Sequence, residues 1–270
     1  FTITVSACDI YWNVNAGYNP VVTINTPQDN YDVEPTTKTL INGTTTFAIT
    51  LVTASTHTIT AQGGSLDQGV SSIVTVDPSN VVRLQLLLPG ETPAPGEHEG
   101  SPYASPPYGQ QGGPTYQYAG STFTVTVNAV DTYWNKVSTT PYVTVVTSDS
   151  NDTNPGPKTL QYGTETFNIC MITANPAQTI TASCATLTQD SKDVEIKADS
   201  AVKLQLLMPG ESPDPGTSTG KVGSPNAQTV GVSTTVVVNL VDKYWNKNNY
   251  SPQPQVLLTT TDGYATIGPL

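Results

Sequence analysis

One five-residue motif, Asp-x-Tyr-Trp-Asn, carries the side chains best suited to chemistry and occurs at residues 9–13, 131–135 and 242–246. Its carboxylate and amide oxygens are the hard ligands that Ca²⁺ prefers. The same residue types also end strands by folding back onto backbone N–H groups in Asx-turns. We favour the Asx-turn, because the motif lacks the dense D-x-D-x-D pattern of a dedicated calcium loop. Calcium, the one candidate cofactor, is the alternative at Asp9, Asn13, Asp131, Asn135, Asp242 and Asn246.

The aromatic pair inside the motif predicts a contact surface. Neighbouring side chains on a strand point to opposite faces, so one of Tyr133 and Trp134 should be buried and the other at least partly exposed. An aromatic side chain exposed at three equivalent places, Trp12, Trp134 and Trp245, could stack on a sugar ring or dock a neighbouring module. We favour docking, because the position lies close to the strand end that the preceding segment must pass.

The sequence offers no recognisable catalytic constellation. His57 and His98 do not recur between the repeated segments, and neither G-x-S-x-G nor H-E-x-x-H is present. Paired carboxylates for glycoside hydrolysis cannot be assigned from sequence, and repetition of the whole pattern argues against them. The sequence therefore predicts a protein that is not an enzyme.

Cysteine and asparagine residues set the candidate covalent modifications. The three cysteines lack metal-ligand spacing, and a disulfide between Cys170 and Cys184 stays open. Strand alternation places Cys170 outward and Cys184 inward, which weighs against that bond, and Cys8 is expected to be free. Sequons for glycosylation occur at Asn42, Asn151 and Asn249, a weak signal in a sequence rich in Ser and Thr.

Composition limits the partners of the chain. Ten basic against 21 acidic residues give a net charge of -11 and a pI near 4.3, so nucleic acid would be repelled over most of the surface. No run of 18 or more apolar residues occurs, so no membrane span is expected in this segment. The chain opens at Phe1 without Met or an apolar signal segment, and we expect a processed product or an excerpt of a longer protein.

Internal repeats indicate the elements that position these residues. The motif copies lie more than 100 residues apart, a spacing that suits independently folded tandem domains. A second shared block, 46–54 and 166–174, alternates apolar and polar residues with the period of a half-buried strand. A third block, 82–91 and 202–211, ends in Pro-Gly-Glu, which we interpret as the end of the last strand of each module.

These blocks predict an all-β chain of immunoglobulin-like β-sandwich modules joined by Pro/Gly-rich linkers. The predicted ranges are module 1 at 1–88 with its first strand in doubt, a linker at 89–120, module 2 at 121–208, a linker at 209–232, and the first part of module 3 at 233–270. The first linker is rich in tyrosine, and we expect lateral assembly contacts from Tyr103, Tyr108, Tyr116 and Tyr118.

The motif segment and the second shared block resemble the immunoglobulin-like repeats of large bacterial surface proteins of the invasin and filamentous-adhesin type. Such repeats are similar to V-x-A-x-D-x-Y-G-N and then T-F-x-V-T-L-x-T-A-G and T-I-T-A, which 127–135 and 166–182 follow. This chain has Trp12, Trp134 and Trp245 where the family often has Gly. It has Ser55 and Asn175 where the family has Gly after Thr-Ala. The resemblance implies a sandwich architecture and an extracellular setting, and no ligand.

The sequence thus predicts a non-catalytic structural subunit of an extracellular filament, stalk or adhesin shaft on a prokaryotic cell surface. Its expected partners are other copies of itself or further modules of the same long chain. Two alternatives stay open: a glycan-binding adhesive array that recognises surface glycans, and spacer modules of a larger secreted enzyme.

Overall fold

The protein is an all-β chain of tandem β-sandwich modules. The computed structural model describes residues 1–249 and 254–267, and within those ranges it contains 22 strands and no helix. Accordingly, the described residues include no helix that could span a membrane. Strands such as Tyr142–Thr147 alternate exposed and buried residues, because successive side chains of a strand point to opposite faces.

Module 1 is formed by the first eight strands around one core. β1 pairs with β4, β5 with β8, and the other four form a sheet in the order β3-β2-β6-β7. The core is built on Ile24, Leu40, Phe47 and Ile59, which are all almost fully buried. The strands are β1 Thr2–Ser6, β2 Val21–Asn25, β3 Lys38–Thr39, β4 Thr44–Ala48, β5 Thr56–His57, β6 Thr60–Gly63, β7 Gly69–Val70 and β8 Val74–Thr75.

Module 2 is a two-sheet sandwich with a larger core. One sheet has the order β16-β13-β9 and the other β12-β18-β17-β14-β15, with all pairs antiparallel except β12 and β18. Both sheets contribute to one buried cluster that includes Val125, Phe167 and Ile180. The strands are β9 Arg83–Leu87, β12 Gln117–Tyr118, β13 Phe123–Val130, β14 Tyr142–Thr147, β15 Lys158–Thr159, β16 Thr164–Ile169, β17 Asn175–Ser183 and β18 Asp190–Lys197.

Strand β9 corrects the predicted module boundary at residue 88. It pairs antiparallel with β13, with Gln85 opposite Asn128, and its side chains Leu84 and Leu86 lie in the module 2 core. Strand β19, Lys203–Leu207, likewise pairs with β22, Val237–Val241, in module 3. The third sequence block therefore opens the next module instead of closing the previous one. A strand followed by Pro-Gly reads the same in either role, and only its pairing partner separates them.

The two predicted linkers are folded segments inside modules. After β9 the chain turns at Gly90 and forms a hairpin of β10, Glu91–Pro93, and β11, Gln110–Gly112. After β19 an equivalent hairpin joins β20, Glu211–Pro213, to β21, Lys221–Gly223. The Glu91 carboxylate fixes the first hairpin. It accepts a hydrogen bond from the Leu88 amide and forms an ion pair with Lys192 of β18, with 2.8 Å between Nζ and Oε2. Composition predicted extended linkers, and local hydrogen bonding overrides it.

Candidate functional site

The Asp-x-Tyr-Trp-Asn motif forms the same closed turn in all three copies. In the second copy, Oδ1 of Asp131 accepts the backbone N–H groups of Tyr133 and Asn135, each at 2.9 Å. The Asn135 side chain donates to both carboxylate oxygens, at 3.3 and 3.1 Å. This geometry is the Asx-turn that the sequence favoured over a calcium loop.

The same acceptor arrangement recurs at Asp9 and Asp242, where the amides two and four residues further on donate to Oδ1. In the first copy, hydrogen bonds from the side chain and backbone of Asn13 hold the pKa of Asp9 below its ordinary value. Within the described residues, no group of three His, Cys, Asp or Glu side chains is placed to hold a metal ion. Calcium binding by the motif oxygens stays a prediction.

The motif tryptophans occupy a left-handed backbone conformation, so the strand alternation applied to Tyr133 and Trp134 was wrong. Trp12, Trp134 and Trp245 have φ of 68°, 62° and 71°, which places them in a turn. Both Tyr133 and Trp134 are half-buried. Gly is favoured at such a φ, so the Gly that similar repeats often have at this position indicates a left-handed backbone conformation there.

Each of the two later tryptophans contacts a glycine and a cation. The Arg83 guanidinium lies 4.7 Å from the centre of the Trp134 ring, and the Lys203 ammonium lies 3.4 Å from that of Trp245. A Cβ added to Gly109 would come within 2.2 Å of the Trp134 ring, and one added to Gly220 within 2.1 Å of Trp245. The ring thus packs directly on glycine backbone, and a cation–π contact adds to its attachment.

The second motif copy joins module 2 to module 1 through side-chain hydrogen bonds. Asn135 accepts the Ala54 N–H at 2.8 Å and donates to the Val52 carbonyl at 2.9 Å. Oδ2 of Asp131 accepts the N–H of Ser79, which lies just before β9, at 2.9 Å. Asp131 and Asn135 are 1% and 3% exposed, so these bonds are shielded from water. We call this set of contacts the junction clasp.

The third copy forms the same clasp between modules 2 and 3. Asn246 accepts the Ala174 N–H at 2.7 Å and donates to the Ile172 carbonyl at 2.8 Å. Oδ2 of Asp242 accepts the N–H of Asp199 at 3.0 Å. Repetition of three equivalent hydrogen bonds at two junctions makes the clasp a property of the repeat.

A second aspartate holds the Thr-Ala loop of each clasp from within its own module. Asp29 accepts the Val52 and Thr53 amides at 2.6 and 3.0 Å and the Thr53 hydroxyl at 2.8 Å. Asp149 makes the equivalent three bonds to Ile172 and Thr173, all at 2.8 Å. Each loop is therefore fixed on one side by its own module and on the other by the next module.

The partners of the clasp were not identified from the sequence. Recurrence of Thr-Ala at 53–54 and 173–174 was the available signal, and it was interpreted as a strand only. Asp29 and Asp149 also recur, at equivalent distances from the Thr-Ala pair. What the sequence could not provide is that this loop of one module meets the motif of the following module.

The other predicted sites lie apart from the clasp. All three cysteines, Cys8, Cys170 and Cys184, are free, so the structure contains no Cys170–Cys184 bond. We call the folded segments 89–120 and 209–232 the first and second insertions. Tyr103, Tyr116 and Tyr118 are exposed on the first insertion, whereas Tyr108 is half-buried.

The three sequons differ in their surroundings. Asn42 is exposed in a tight turn, and Asn249 is exposed with its sequon continuing outside the described residues. The Asn151 side chain donates to the Thr173 hydroxyl and to the Pro215 carbonyl, at 3.2 and 3.3 Å. Glycosylation at these three residues stays a prediction.

Fold and site together define a class: an all-β, immunoglobulin-like tandem array whose successive modules are clasped by a repeated Asx-turn. No family model matches the sequence, and no curated protein matches it. Among solved structures, the chain is similar to domains 4 and 5 of the S-layer protein SbsC, with 15% identity and a TM-score of 0.29 over 72% of this chain and 80% of that one. It is also similar to SbsC domains 4–9, with 16% identity and a TM-score of 0.29 over 90% of this chain and 31% of that one. Fibronectin(III)-like modules of Clostridium thermocellum CbhA match with 14% identity and a TM-score of 0.24, over 73% of this chain and 85% of theirs.

Proposed function

We propose that this chain is a non-catalytic structural segment of an extracellular filament, stalk or adhesin shaft on a prokaryotic cell surface. The observation that carries the proposal is the junction clasp, formed with equivalent partners by Asn135 and Asn246. A buried, hydrogen-bonded contact between neighbouring modules opposes bending at the junction, because bending would leave its polar groups unpaired.

The folded insertions support the same role. Segments that would be flexible tethers in a loose string of domains are instead folded. In module 2 the Glu91–Lys192 ion pair holds the first hairpin on β18, and in module 3 the Glu211–Lys221 ion pair links the two strands of the second hairpin. Chain that is ordered between β9 and β13 contributes stiffness where a Gly/Pro-rich linker would contribute slack. A load-carrying shaft requires that property.

The partners in this proposal are further modules of the same kind and neighbouring copies of the chain. Tyr103, Tyr116 and Tyr118 project from the first insertion into solvent and offer lateral contacts. Tyr116 and Tyr118 meet edge to face, with ring centres 5.5 Å apart, and Lys197 covers Tyr116 from 3.5 Å. An ordered aromatic pair loses little entropy when a neighbouring chain covers it.

Electron microscopy of the native material tests the proposal. A regular filament or a stiff, ordered surface array is expected from the wild-type chain. Replacing the four insertion tyrosines, Tyr103, Tyr108, Tyr116 and Tyr118, by Ser should prevent lateral assembly. Flexible beads on a string in the native material would contradict the structural role. Filaments of unchanged length from the tyrosine variant would contradict the lateral contacts alone.

A further inference from the structure

Strand β1 has an open edge beside a groove with both apolar and polar lining. It pairs with β4 on one side, and no described strand pairs with its other side. Ala7 donates its amide to Gly43 on the β4 side, so the pleat directs the alternate amides of Thr4 and Ser6 to the open edge. The groove next to this edge encloses about 770 Å³ and is lined by Val5, Ala7, Val22, Leu40 and other residues of module 1.

The equivalent edge is covered in both later modules. β9 covers β13, and β19 covers β22, in the same antiparallel register. The covering segments share the sequence Val-Arg/Lys-Leu-Gln-Leu-Leu followed by Leu-Pro-Gly-Glu or Met-Pro-Gly-Glu, at 82–91 and 202–211. The chain itself therefore shows twice which kind of segment fits this edge.

Each feature of the covering segment has a defined contact. In module 2, Leu84, Leu86 and Leu88 fill the core, while the Gln85 side chain accepts a hydrogen bond from Asn128 at 2.9 Å. The basic residue covers the motif tryptophan, and a glycine beyond the turn packs beneath it. The segment just before the strand donates an N–H to the motif aspartate.

Module 1 presents the receiving half of these contacts without the covering half. Trp12 is 85% exposed, whereas its counterparts Trp134 and Trp245 are half-buried. Ile3 and Val5 are only partly buried, whereas the equivalent Val125 and Val127 are fully buried. Asp9 and Asn13 form the Asx-turn and remain exposed. Unpaired backbone next to exposed apolar surface is a template for strand addition.

We propose that the open edge of β1, its groove and Trp12 form an acceptor site for an antiparallel strand–turn segment of another repeat, of the type Val-Arg/Lys-Leu-Gln-Leu-Leu-x-Pro-Gly-Glu. Alternate leucines of that segment enter the groove, its amides and carbonyls pair with Thr4 and Ser6, and its basic residue covers Trp12. The occupant is a strand of a further immunoglobulin-like module. This inference rests on the proposed function and deepens it by naming how the array is extended at this end of module 1.

Binding of a synthetic peptide to the full chain tests the site. The probe is residues 199–223, labelled with fluorescein, because this segment contains the strand, the turn and the Gly220 that packs under tryptophan. Saturable binding by fluorescence anisotropy is expected, with a Kd of about 10 µM or tighter. Amide exchange of Thr4 and Ser6 should slow when the peptide is bound. A control peptide with Leu204→Ser and Leu206→Ser should bind about 100-fold more weakly, because two leucines no longer enter the groove.

Chain variants separate this site from binding elsewhere. Thr4→Pro removes an open-edge donor that no residue of module 1 uses, and Trp12→Ala removes the stacking surface, so both should weaken peptide binding. No binding by wild-type chain, or equal binding by the Thr4→Pro variant, would overturn the proposal. Self-association of the chain that Thr4→Pro abolishes would overturn the assigned occupant in favour of a second copy. None of these outcomes bears on the junction clasp, so the proposed function would fail separately.

Discussion

Asn135 and Asn246 each serve two modules with a single side-chain amide. The nitrogen donates both to the aspartate of its own turn and to a carbonyl of the preceding module, and the oxygen accepts an amide from that module. Asp could not replace Asn here, because a carboxylate has no donor for the Val52 or Ile172 carbonyl. The residue type is thus set by the junction as well as by the turn.

Replacing Asn135 by Ala should lower the free energy of unfolding by about 2 kcal/mol, because the Ala54 amide and the Val52 carbonyl lose their partners in a buried place. Urea denaturation of the full chain measures the change. Asn13→Ala is the matched control, because Asn13 occupies the same turn, is exposed, and binds only Asp9. Its cost should stay within about 0.5 kcal/mol. Equal costs for the two variants would show that the junction bonds contribute nothing.

Residue types predicted the turn better than they predicted the aromatic side chains beside it. Asp and Asn at this spacing have a strong local preference for Asx-turns, so the motif alone indicated their hydrogen bonds. The orientation of Trp134 depends on its positive φ. Strand alternation does not apply to a residue whose backbone is in the left-handed region. The Gly that is common at this position in similar repeats was the signal for a left-handed backbone conformation.

At the scale of elements, the informative difference is strand β9. Alternation and the Pro-Gly turn correctly predicted a strand at 82–88. Alternation also predicted strands at 46–54 and 166–174, where β4 ends at Ala48 and β16 ends at Ile169. The module to which β9 belongs is decided by its pairing with β13, which follows the 89–120 segment in the chain. The sequence of a strand indicates which of its faces is buried, but the strand it pairs with is set by packing across the whole module.

The loop after β2 carries a pH-sensitive group. Burial raises the pKa of Asp32 to about 6, against a hydrogen bond from Thr26 that opposes the rise. Between about pH 4 and pH 6 the folded module keeps a proton that the unfolded chain releases, so this group lowers stability progressively as pH rises. Above pH 6 the penalty is complete, and below about pH 4 it vanishes.

Asp32→Asn should therefore stabilise the chain by about 1 kcal/mol at pH 7.5 and leave its stability nearly unchanged at pH 4. The amide oxygen can still accept the Thr26 hydroxyl, so the local hydrogen bond is kept. Thermal unfolding at the two pH values measures the effect, and Asp67→Asn provides an exposed carboxylate of the same module as the control. A stabilisation of equal size at pH 4 would contradict the assigned cause.

At the scale of the whole molecule, the same contact between an Asx-turn and the Thr-Ala loop of the preceding module recurs at each junction. Each module fixes its own Thr-Ala loop with Asp29 or Asp149, and the next module grips that loop with its Asx-turn. The segment that leads into the first strand of the next module passes the same junction, where the N–H of Ser79 or Asp199 donates to the aspartate of the motif. Orientation is thereby set at each junction by several short-range bonds close together, and sequence periodicity alone could not indicate contacts between repeats.

Loss of both clasps should make the chain flexible without unfolding its modules. In the full chain with Asn135→Ala and Asn246→Ala, about 2 kcal/mol lost at each junction raises the population of open junctions about 30-fold. Small-angle X-ray scattering should then show a broader distribution of intramolecular distances than wild type, while circular dichroism retains the β-sheet signal. Asn13→Ala, which alters the exposed turn and leaves both junctions intact, should scatter like wild type. If the double variant also scattered like wild type, the rigidity of the array would have to come from the folded insertions, because they are the other ordered structures that adjoin each junction.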